Sequence, residues 1–92
     1  MIGTFRHRGL KRFYEKGDAS KLHAKHVGKI RLILTRLEAA TTPDEMNVPG
    51  YGLHQLNGAL KGFWAVKVDK NFRIIFRFEG DNAIYIDYVD YH

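Results

Sequence analysis

The last six residues of the sequence, DYVDYH at 87–92, hold several side chains that can exchange protons. Asp90, Tyr91 and His92 supply a carboxylate, a phenol and an imidazole, which are group types used in general acid–base catalysis. A second imidazole, His54, lies in the segment YGLHQLNG. A terminal segment is more often a solvated tail, but here an apolar strand pattern continues almost to the last residue. We therefore keep these four side chains as catalytic candidates.

Arg73 and Arg77 alternate with apolar residues along one predicted strand, so they point away from the core side of a sheet. The apolar residues in this alternation are Phe72, Ile74, Phe76 and Phe78. A guanidinium group can fork two hydrogen bonds to phosphate oxygens, and Tyr85 or Phe63 nearby could stack a nucleobase. The same alternation is also typical of an ordinary solvated sheet face. The residues alone leave both interpretations open.

These groups make up an inventory for RNA cleavage without a metal. The ribose 2′-OH can attack the adjacent phosphorus if a base takes its proton, an acid protonates the leaving 5′-oxygen and a cation balances the charge. Histidine changes its charge near neutral pH, which suits His54 and His92 to the proton transfers. Asp90 could orient or activate a partner, Tyr91 could donate a hydrogen bond or stack, and Arg73 could stabilise the developing charge. Spacing along the chain does not establish that these side chains converge.

Metal chemistry finds little support in the sequence. His23 and His26 lie three residues apart, which is a spacing that can bind a metal, but no third ligand is visible. We interpret both as surface residues and predict no metal and no other cofactor. The sequence has no cysteine, so it offers neither a disulfide framework nor a thiolate nucleophile.

Helical periodicity predicts two helices in the first half of the chain. A helix is predicted over residues 9–16, where the apolar positions are Leu10, Phe13 and Tyr14. Residues 23–40 are predicted to form an amphipathic helix with a basic outer face, and its apolar stripe comprises Val27, Ile30, Ile33, Leu34 and Leu37.

A period of two predicts strands in the rest of the chain and at its start. The predicted strands cover residues 1–5, 51–56, 63–68, 72–79 and 83–89. On the last strand we expect Ile84, Ile86 and Tyr88 on the core face, with Tyr85 and Asp87 on the other. The predicted fold is α+β, in the order β-α-α-β-β-β-β, with two helices packed on a mostly antiparallel twisted sheet. We expect one domain over residues 1–92.

The charge balance favours a polyanionic partner. Lys and Arg number 15 against 10 Asp and Glu, for a formal net charge of +5, and residues 1–36 are especially basic. Excess positive charge raises affinity for polyanions, which favours nucleic acid over a basic surface kept only for solubility. We find no signal peptide and no apolar run of membrane-spanning length. The expected location is therefore the cytoplasm, without membrane contact.

Three segments carry a resemblance to a known family. They are MIGTFRHRGLKRFYEKG at the start, YGLHQLNGALKGFWAVKVDKNFRIIF in the centre and YVDYH at the end. Together and in this order, they resemble the HigB branch of the RelE superfamily, the bacterial toxins of toxin–antitoxin pairs. The resemblance covers essentially the whole chain.

The resemblance implies a fold similar to small microbial ribonucleases and cleavage of mRNA in the ribosomal A site, by 2′-OH attack and without a metal. It also implies neutralisation by a HigA-type helix-turn-helix antitoxin, so that operator DNA is contacted only through the antitoxin complex. The family's functional positions correspond here to His54, Asn71, Arg73, Asp90, Tyr91 and His92. Of these, Asn71 is expected to orient a phosphate or a base edge, and Arg77 joins it as an RNA-binding candidate.

The chain departs from the family pattern in one segment. Relatives tend to have LHPLKG where this sequence has LHQLNG, so that Gln55 replaces a proline and Asn57 replaces a lysine. The lost lysine would be a cation near the phosphate, and Lys61 is the candidate to substitute for it. We keep Asn57 and Lys61 as RNA-binding candidates, with weaker activity or altered codon preference as expected consequences of the departure.

Two functions of different classes follow. The first is a ribosome-dependent endoribonuclease toxin, in which the basic helices hold ribosomal RNA and the sheet face holds mRNA. The second is a non-catalytic RNA- or ribosome-binding module of the same fold, which would bind RNA in a salt-sensitive way without creating new RNA ends. A DNA-binding regulator is weaker, because no recognition helix follows a short glycine turn.

Overall fold

The computed structural model describes residues 1–91, so the role predicted for His92 lies outside the described part of the chain. Two helices, α1 (Arg8–Lys16) and α2 (Val27–Ala39), precede the sheet, and a 3-10 turn at Ala24–His26 leads into α2. Both helices fall where periodicity predicts them, except that the first turn of the second is a 3-10 turn. Within residues 1–91, no helix is long and apolar enough to cross a membrane.

Both ends of α1 are capped by local chemistry. His7 Nδ1 accepts a hydrogen bond of 3.1 Å from the Leu10 N–H, which satisfies a donor that the first turn leaves free. The helix ends at Gly17, which adopts a left-handed φ of 70° and donates its N–H to the Phe13 carbonyl at 2.9 Å. Gly9 is needed for packing, because a Cβ there would lie 2.5 Å from Lys21 Cβ.

The sheet has four antiparallel strands in the order β1-β2-β3-β4. Their bounds are β1 His54–Gln55, β2 Trp64–Lys67, β3 Phe72–Glu79 and β4 Asn82–Asp90. One face of the sheet packs on the helices, and the buried residues there include Ile30, Ile33, Leu37, Val66, Ile74, Phe76, Ile86 and Tyr88. The predicted α+β architecture, with two helices on an antiparallel sheet, is confirmed.

The opposite face of the sheet carries the side chains of Ala65 and Ile75. This face is the outer face. A small apolar cluster of Leu56, Phe63, Ala65 and Ile75 covers part of it. The outer face is therefore not the fully solvated surface that simple alternation would allow. Arg73 and Arg77 lie on the same face as Ile75, as their spacing in β3 predicts.

Two predicted strands are shorter in the structure. The expected strand over residues 51–56 is reduced to His54–Gln55. The expected strand over residues 1–5 forms only isolated parallel bridges, Ile2 with Ala83 and Phe5 with Ile86. Pairing of this first segment with β4 joins distant parts of the chain, and local alternation contains no information about such partners.

A β-bulge in β4 overturns the predicted facing of Ile84. Between Ile75 and Arg77 the register with β4 shifts, and two β4 residues lie opposite the single β3 residue between them. Ile84 consequently pairs with Arg77 on the outer face, whereas Ile86 lies fully buried on the helix side. The predicted core positions of Ile86 and Tyr88 are confirmed, and that of Ile84 is wrong because the extra residue resets the alternation.

Candidate active site

The turn between β2 and β3 positions the first group of candidate residues. Asp69 Oδ1 accepts the N–H groups of Asn71 and Phe72 at 2.9 and 2.8 Å, which closes the turn. Its pKa is well below the usual range, chiefly because of the Phe72 N–H and then the His26 ring and the Asn71 N–H. Arg73 Nη1 donates to the Asp69 carbonyl at 2.6 Å, so the turn also holds the guanidinium.

Arg73 carries an unused hydrogen-bond donor. Its Nη1 is occupied by the carbonyls of Asp69 and Phe72, but its Nε is buried and has no hydrogen-bond partner within residues 1–91. Buried donors without a partner are uncommon in native proteins. Arg73 as a whole is half-buried, so a phosphate would meet the positive charge at the exposed part of the guanidinium rather than at Nε.

The end of the chain lies beside this arginine. The Tyr91 N–H donates to the Asn71 carbonyl, and the Arg73 guanidinium carbon lies 5.8 Å from the centre of the Tyr91 ring. Tyr91 is 43% exposed, so its hydroxyl is available to solvent or to a ligand. The structure therefore brings Asn71, Arg73 and Tyr91 together.

Asp90 stands on the other side of the same strand end. It pairs with Phe72, and Phe72 packs against the core between sheet and helices. Paired residues share a face, so the Asp90 side chain is directed to the helix side at the rim of the sheet. The structure does not place it beside Arg73 on the outer face.

His54 lies on the outer face, but apart from Arg73. It forms a row across the sheet with Ala65, Ile75 and Asp87, while Arg73 belongs to the next row. His54 is two strand spacings from Ile75, and Arg73 is two residues further along β3. These offsets put the Cα atoms of His54 and Arg73 roughly 12 Å apart. The gap is wide enough for a nucleotide phosphate to lie between the two long side chains.

The hydrogen bond of His54 determines which ring nitrogen can act as a base. Its Nδ1 lies 3.0 Å from the Gly52 carbonyl oxygen, and a carbonyl only accepts hydrogen bonds, so Nδ1 carries the proton. In the neutral ring Nε2 then holds the lone pair. The exposed imidazole can thus accept a proton through Nε2.

The remaining RNA-binding candidates lie at the opposite end of the outer face. Asn57 precedes a 3-10 turn at Gly58–Leu60, and Lys61 follows it. This turn connects β1 to β2 at the end where Trp64 pairs with Phe76. Arg77 lies at that same end, with its guanidinium carbon 5.8 Å from the Phe63 ring centre. None of the three is brought next to Arg73.

The sequence reasoning missed Lys67, a cation that does stand beside Arg73. Lys67 pairs directly with Arg73 in the β2–β3 register, and both side chains point to the outer face. Its stem packs over Gly52, where an added Cβ would lie 3.1 Å from Lys67 Cε. The alternation of Trp64, Val66 and Val68 already implies an outward Lys67, and that signal could have found it.

The interpretation of His26 as a surface residue is wrong. Its side chain is 3% exposed, with Nδ1 2.6 Å from the Tyr88 hydroxyl and Nε2 2.6 Å from Asp69 Oδ2. Burial raises the pKa of Tyr88, which keeps its hydroxyl protonated. The 3-10 turn that precedes α2 directs His26 inward, because the expected helical phase does not apply to that turn.

The described residues offer little for a metal ion. In residues 1–91, no group of three or more His, Asp or Glu side chains is arranged to hold one. The outer face instead carries the His54 imidazole with an available lone pair, the paired cations Lys67 and Arg73, and the Tyr91 phenol. One N–H of the Arg73 guanidinium has no hydrogen-bond partner among residues 1–91. These groups suit an anionic substrate that requires proton transfer.

Comparison with known proteins identifies relatives over the whole length. The family model for RelE-like toxins of the type II toxin–antitoxin system HigB matches residues 3–92. Endoribonuclease HigB of Proteus vulgaris is 40% identical over 92 residues, and the match covers 100% of both chains.

Solved structures support the fold. YafQ from E. coli strain BL21(DE3) has a TM-score of 0.64 at 14% identity, over 98% of this chain and 93% of YafQ. The YoeB dimer from Staphylococcus aureus has a TM-score of 0.60 at 17% identity, over 99% of this chain and 97% of that chain. At these identities, the likeness speaks for the architecture alone.

Proposed function

This chain belongs to the HigB-like family of RelE-like toxins of type II toxin–antitoxin systems, and on that premise we propose that it is an endoribonuclease that cleaves mRNA in the ribosomal A site. The family membership gives it an antitoxin partner and an RNA substrate. The dependence on the ribosome, the absence of a metal from the mechanism and the residues that act are our proposals.

One observation carries the proposed chemistry. The Arg73 guanidinium is held through Nη1 by the carbonyls of Asp69 and Phe72, and it lies beside the exposed ring of Tyr91 on the same face as His54. An arginine held by the turn carbonyl at Asp69 is preorganised to receive a phosphate. Preorganised donors of this kind stabilise charge that develops in a transition state.

The mechanism follows from these positions. His54 Nε2 takes the proton of the ribose 2′-OH, and the 2′-oxygen forms a bond to phosphorus. The bond from phosphorus to the 5′-oxygen breaks, and a donor from the end of the chain, Tyr91 or His92, returns a proton to that oxygen. Arg73 balances the charge on the phosphorane. The products are a 2′,3′-cyclic phosphate and a 5′-hydroxyl end, and Asp90 orients the proton donor from the rim.

The proposed partners follow from charge and from the family. The outward cations of α1, α2 and the 3-10 turn before α2 contact ribosomal RNA, and they include Lys11, Arg12, Lys25 and Arg36. The antitoxin is proposed to be of the HigA helix-turn-helix type, with operator DNA bound only through the toxin–antitoxin complex. The site of action is the cytoplasm, where translating ribosomes are found.

The test uses purified ribosomes programmed with a defined mRNA, with mapping of new RNA 5′ ends. Wild-type protein, Arg73→Lys, His92→Ala and a reaction without ribosomes run in parallel. Cuts within A-site codons that carry 5′-hydroxyl ends, and that disappear in the other three reactions, are the expected result. Replacement of a nonbridging oxygen of the scissile phosphate by sulfur should give a slow reaction that manganese does not rescue.

Two outcomes would contradict the proposal. Cuts of equal rate without ribosomes would remove the ribosome from the mechanism. Tight, salt-sensitive ribosome binding without any new RNA ends would instead favour the non-catalytic RNA-binding module, for which the substitution of a family lysine by Asn57 is the motivating observation.

A further inference from the structure

A cluster of stacked side chains lies on the outer face, at the end remote from Arg73. The stacked cluster consists of Arg6, Phe63, Arg77 and Tyr85. The Arg6 guanidinium carbon lies 5.3 Å from the Phe63 ring centre and 5.7 Å from that of Tyr85. The two rings are roughly parallel, at 28°, with centres 6.5 Å apart, and Arg77 approaches Phe63 from 5.8 Å.

The backbone at Tyr85 adopts a left-handed conformation that bulky residues rarely occupy. The bulge requires this conformation but does not require a tyrosine. Tyr85 has a φ of 53° and is the only non-glycine residue with positive φ in residues 1–91. Gly or Asn would occupy this position of the bulge at lower cost, whereas a bulky residue there is an outlier. The side chain is 45% exposed, so burial does not compensate the strain. Strain of this kind tends to persist at functional sites.

The charges of the stacked cluster are available to an anion. Arg6 and Arg77 are both exposed, and within residues 1–91 neither forms a salt bridge to a carboxylate. The exposed ring of Tyr85, flanked by two guanidinium groups, matches a nucleobase with a phosphate on either side. A protein partner would more often require a contiguous apolar patch, and Phe63 is only 5% exposed.

We propose that the stacked cluster is a second RNA subsite, which binds a nucleotide outside the scissile pair on the same strand. This inference rests on the proposed RNA substrate of the outer face. Arg77 lies four residues from Arg73 along β3, or about 13 Å, so the two arginines can contact different phosphates of one strand. Tyr85 stacks the base, and Arg6 contacts its phosphate.

Two variants test the subsite, and a third is the charge control. Arg6→Gln removes a cluster charge, and Lys21→Gln removes one positive charge from an exposed position outside α1, α2 and the outer face. Tyr85→Gly removes the stacking ring and also relieves the positive φ. Binding is measured as a function of salt, both to free single-stranded RNA and to ribosomes carrying an mRNA with a 2′-deoxy nucleotide at the scissile position, which prevents cleavage.

We expect Arg6→Gln to weaken RNA binding by roughly tenfold and to lower the log–log salt slope by about 0.7, as loss of one contact to a single-stranded phosphate requires. Lys21→Gln should leave the free-RNA slope unchanged. Tyr85→Gly should weaken binding by roughly fivefold or more, with an unchanged slope and with a melting temperature equal to or above that of the wild type.

Wild-type affinity in both Arg6→Gln and Tyr85→Gly would overturn the inference. The test separates this inference from the proposed function. If the wild type binds RNA through the stacked cluster but cuts nothing, the endoribonuclease proposal fails and the subsite stands. If it cuts normally in all three variants with unchanged affinity, the subsite fails alone.

Discussion

His26 Nε2 lies 2.6 Å from Asp69 Oδ2, and this contact joins the start of the helical layer to the turn that carries Asn71 and Arg73. The same imidazole contacts the Tyr88 hydroxyl through Nδ1 at 2.6 Å. Asp69 in turn holds Arg73 through its carbonyl. A hydrogen-bond network, buried at His26 and half-buried at Asp69, therefore runs from the core to the guanidinium and links the position of Arg73 to a histidine on the helix side.

Replacement of Asp69 by Asn should lower stability at neutral pH. The pKa of Asp69 is depressed in the fold, mainly by the Phe72 N–H, so its stabilising contribution is complete above its unfolded pKa, near 3.9. It is lost as the pH falls through the lower folded value. Urea unfolding from pH 7 to pH 3 should show the difference between wild type and Asp69→Asn shrinking below about pH 4. A difference independent of pH would contradict this.

Arg73→Lys should lose cleavage while retaining ribosome binding. Lysine keeps the positive charge but lacks the planar fork and the Nε donor. Loss of one preorganised donor at a developing charge costs about 10²–10³ in rate. Single-turnover cleavage measures the loss, and the melting temperature checks that the turn remains folded. Near wild-type cleavage would show that the guanidinium group is not needed as a phosphate ligand.

His54→Ala should remove most of the cleavage rate. Proton transfer by a well-placed side chain contributes about 10²–10⁴-fold, and the contact of Nδ1 with the Gly52 carbonyl leaves Nε2 to accept the 2′-OH proton. Single-turnover cleavage on programmed ribosomes tests this, and the melting temperature checks that the variant is folded. A folded variant that cleaves at the wild-type rate would assign the base to another group.

Lys67→Gln should reduce cleavage more than Lys61→Gln. Lys67 shares a row with Arg73, whereas Lys61 follows the 3-10 turn at the other end of the outer face. Only Lys67 can support charge on the scissile phosphate. We expect the cleavage rate to fall about tenfold in Lys67→Gln, as for loss of a hydrogen bond to a charged group, and by twofold or less in Lys61→Gln. Equal losses would mean that both cations act through general attraction of RNA.

Gly9→Ala should destabilise the fold, and Gly28→Ala should not. A Cβ on Gly9 would lie 2.5 Å from Lys21 Cβ, whereas one on Gly28 meets nothing within 4 Å. Overpacking costs about 1–3 kcal/mol, while Gly to Ala in an exposed helix gains about 0.5–1 kcal/mol. Denaturant unfolding of the two variants should therefore shift in opposite directions.

Periodicity was sufficient for the elements whose partners are close in sequence. The stripe with Ile30 and Leu37 located α2, and alternation around Ile74 located β3 and the outward arginines. What it missed depends on contacts between distant residues: the pairing of the first segment with β4, the bulge that turns Ile84 outward, and the inward rotation of His26. The first and the last are decided by partners that lie dozens of residues away, and the bulge is decided by the register between β3 and β4.

The sequence predicted which residues belong to the candidate site but not how they are arranged in space. Sequence reasoning named Asn71, Arg73 and Tyr91, and these lie together because the turn at Asp69 and the end of β4 meet. It had no means of showing that Asn57 and Lys61 lie at the opposite end of the sheet, since that depends on the direction of each strand.

The pairing of the first segment with β4 bears on solution behaviour. The edge of β4 that does not pair with β3 is partly occupied by the bridges at Ile2 and Phe5. The edge strand on the other side of the sheet, β1, is two residues long. Edge strands with long rows of free donors and acceptors recruit further chains and promote aggregation. This sheet offers a short edge on one side and a partly covered one on the other, so it is protected against growth into intermolecular β-assemblies.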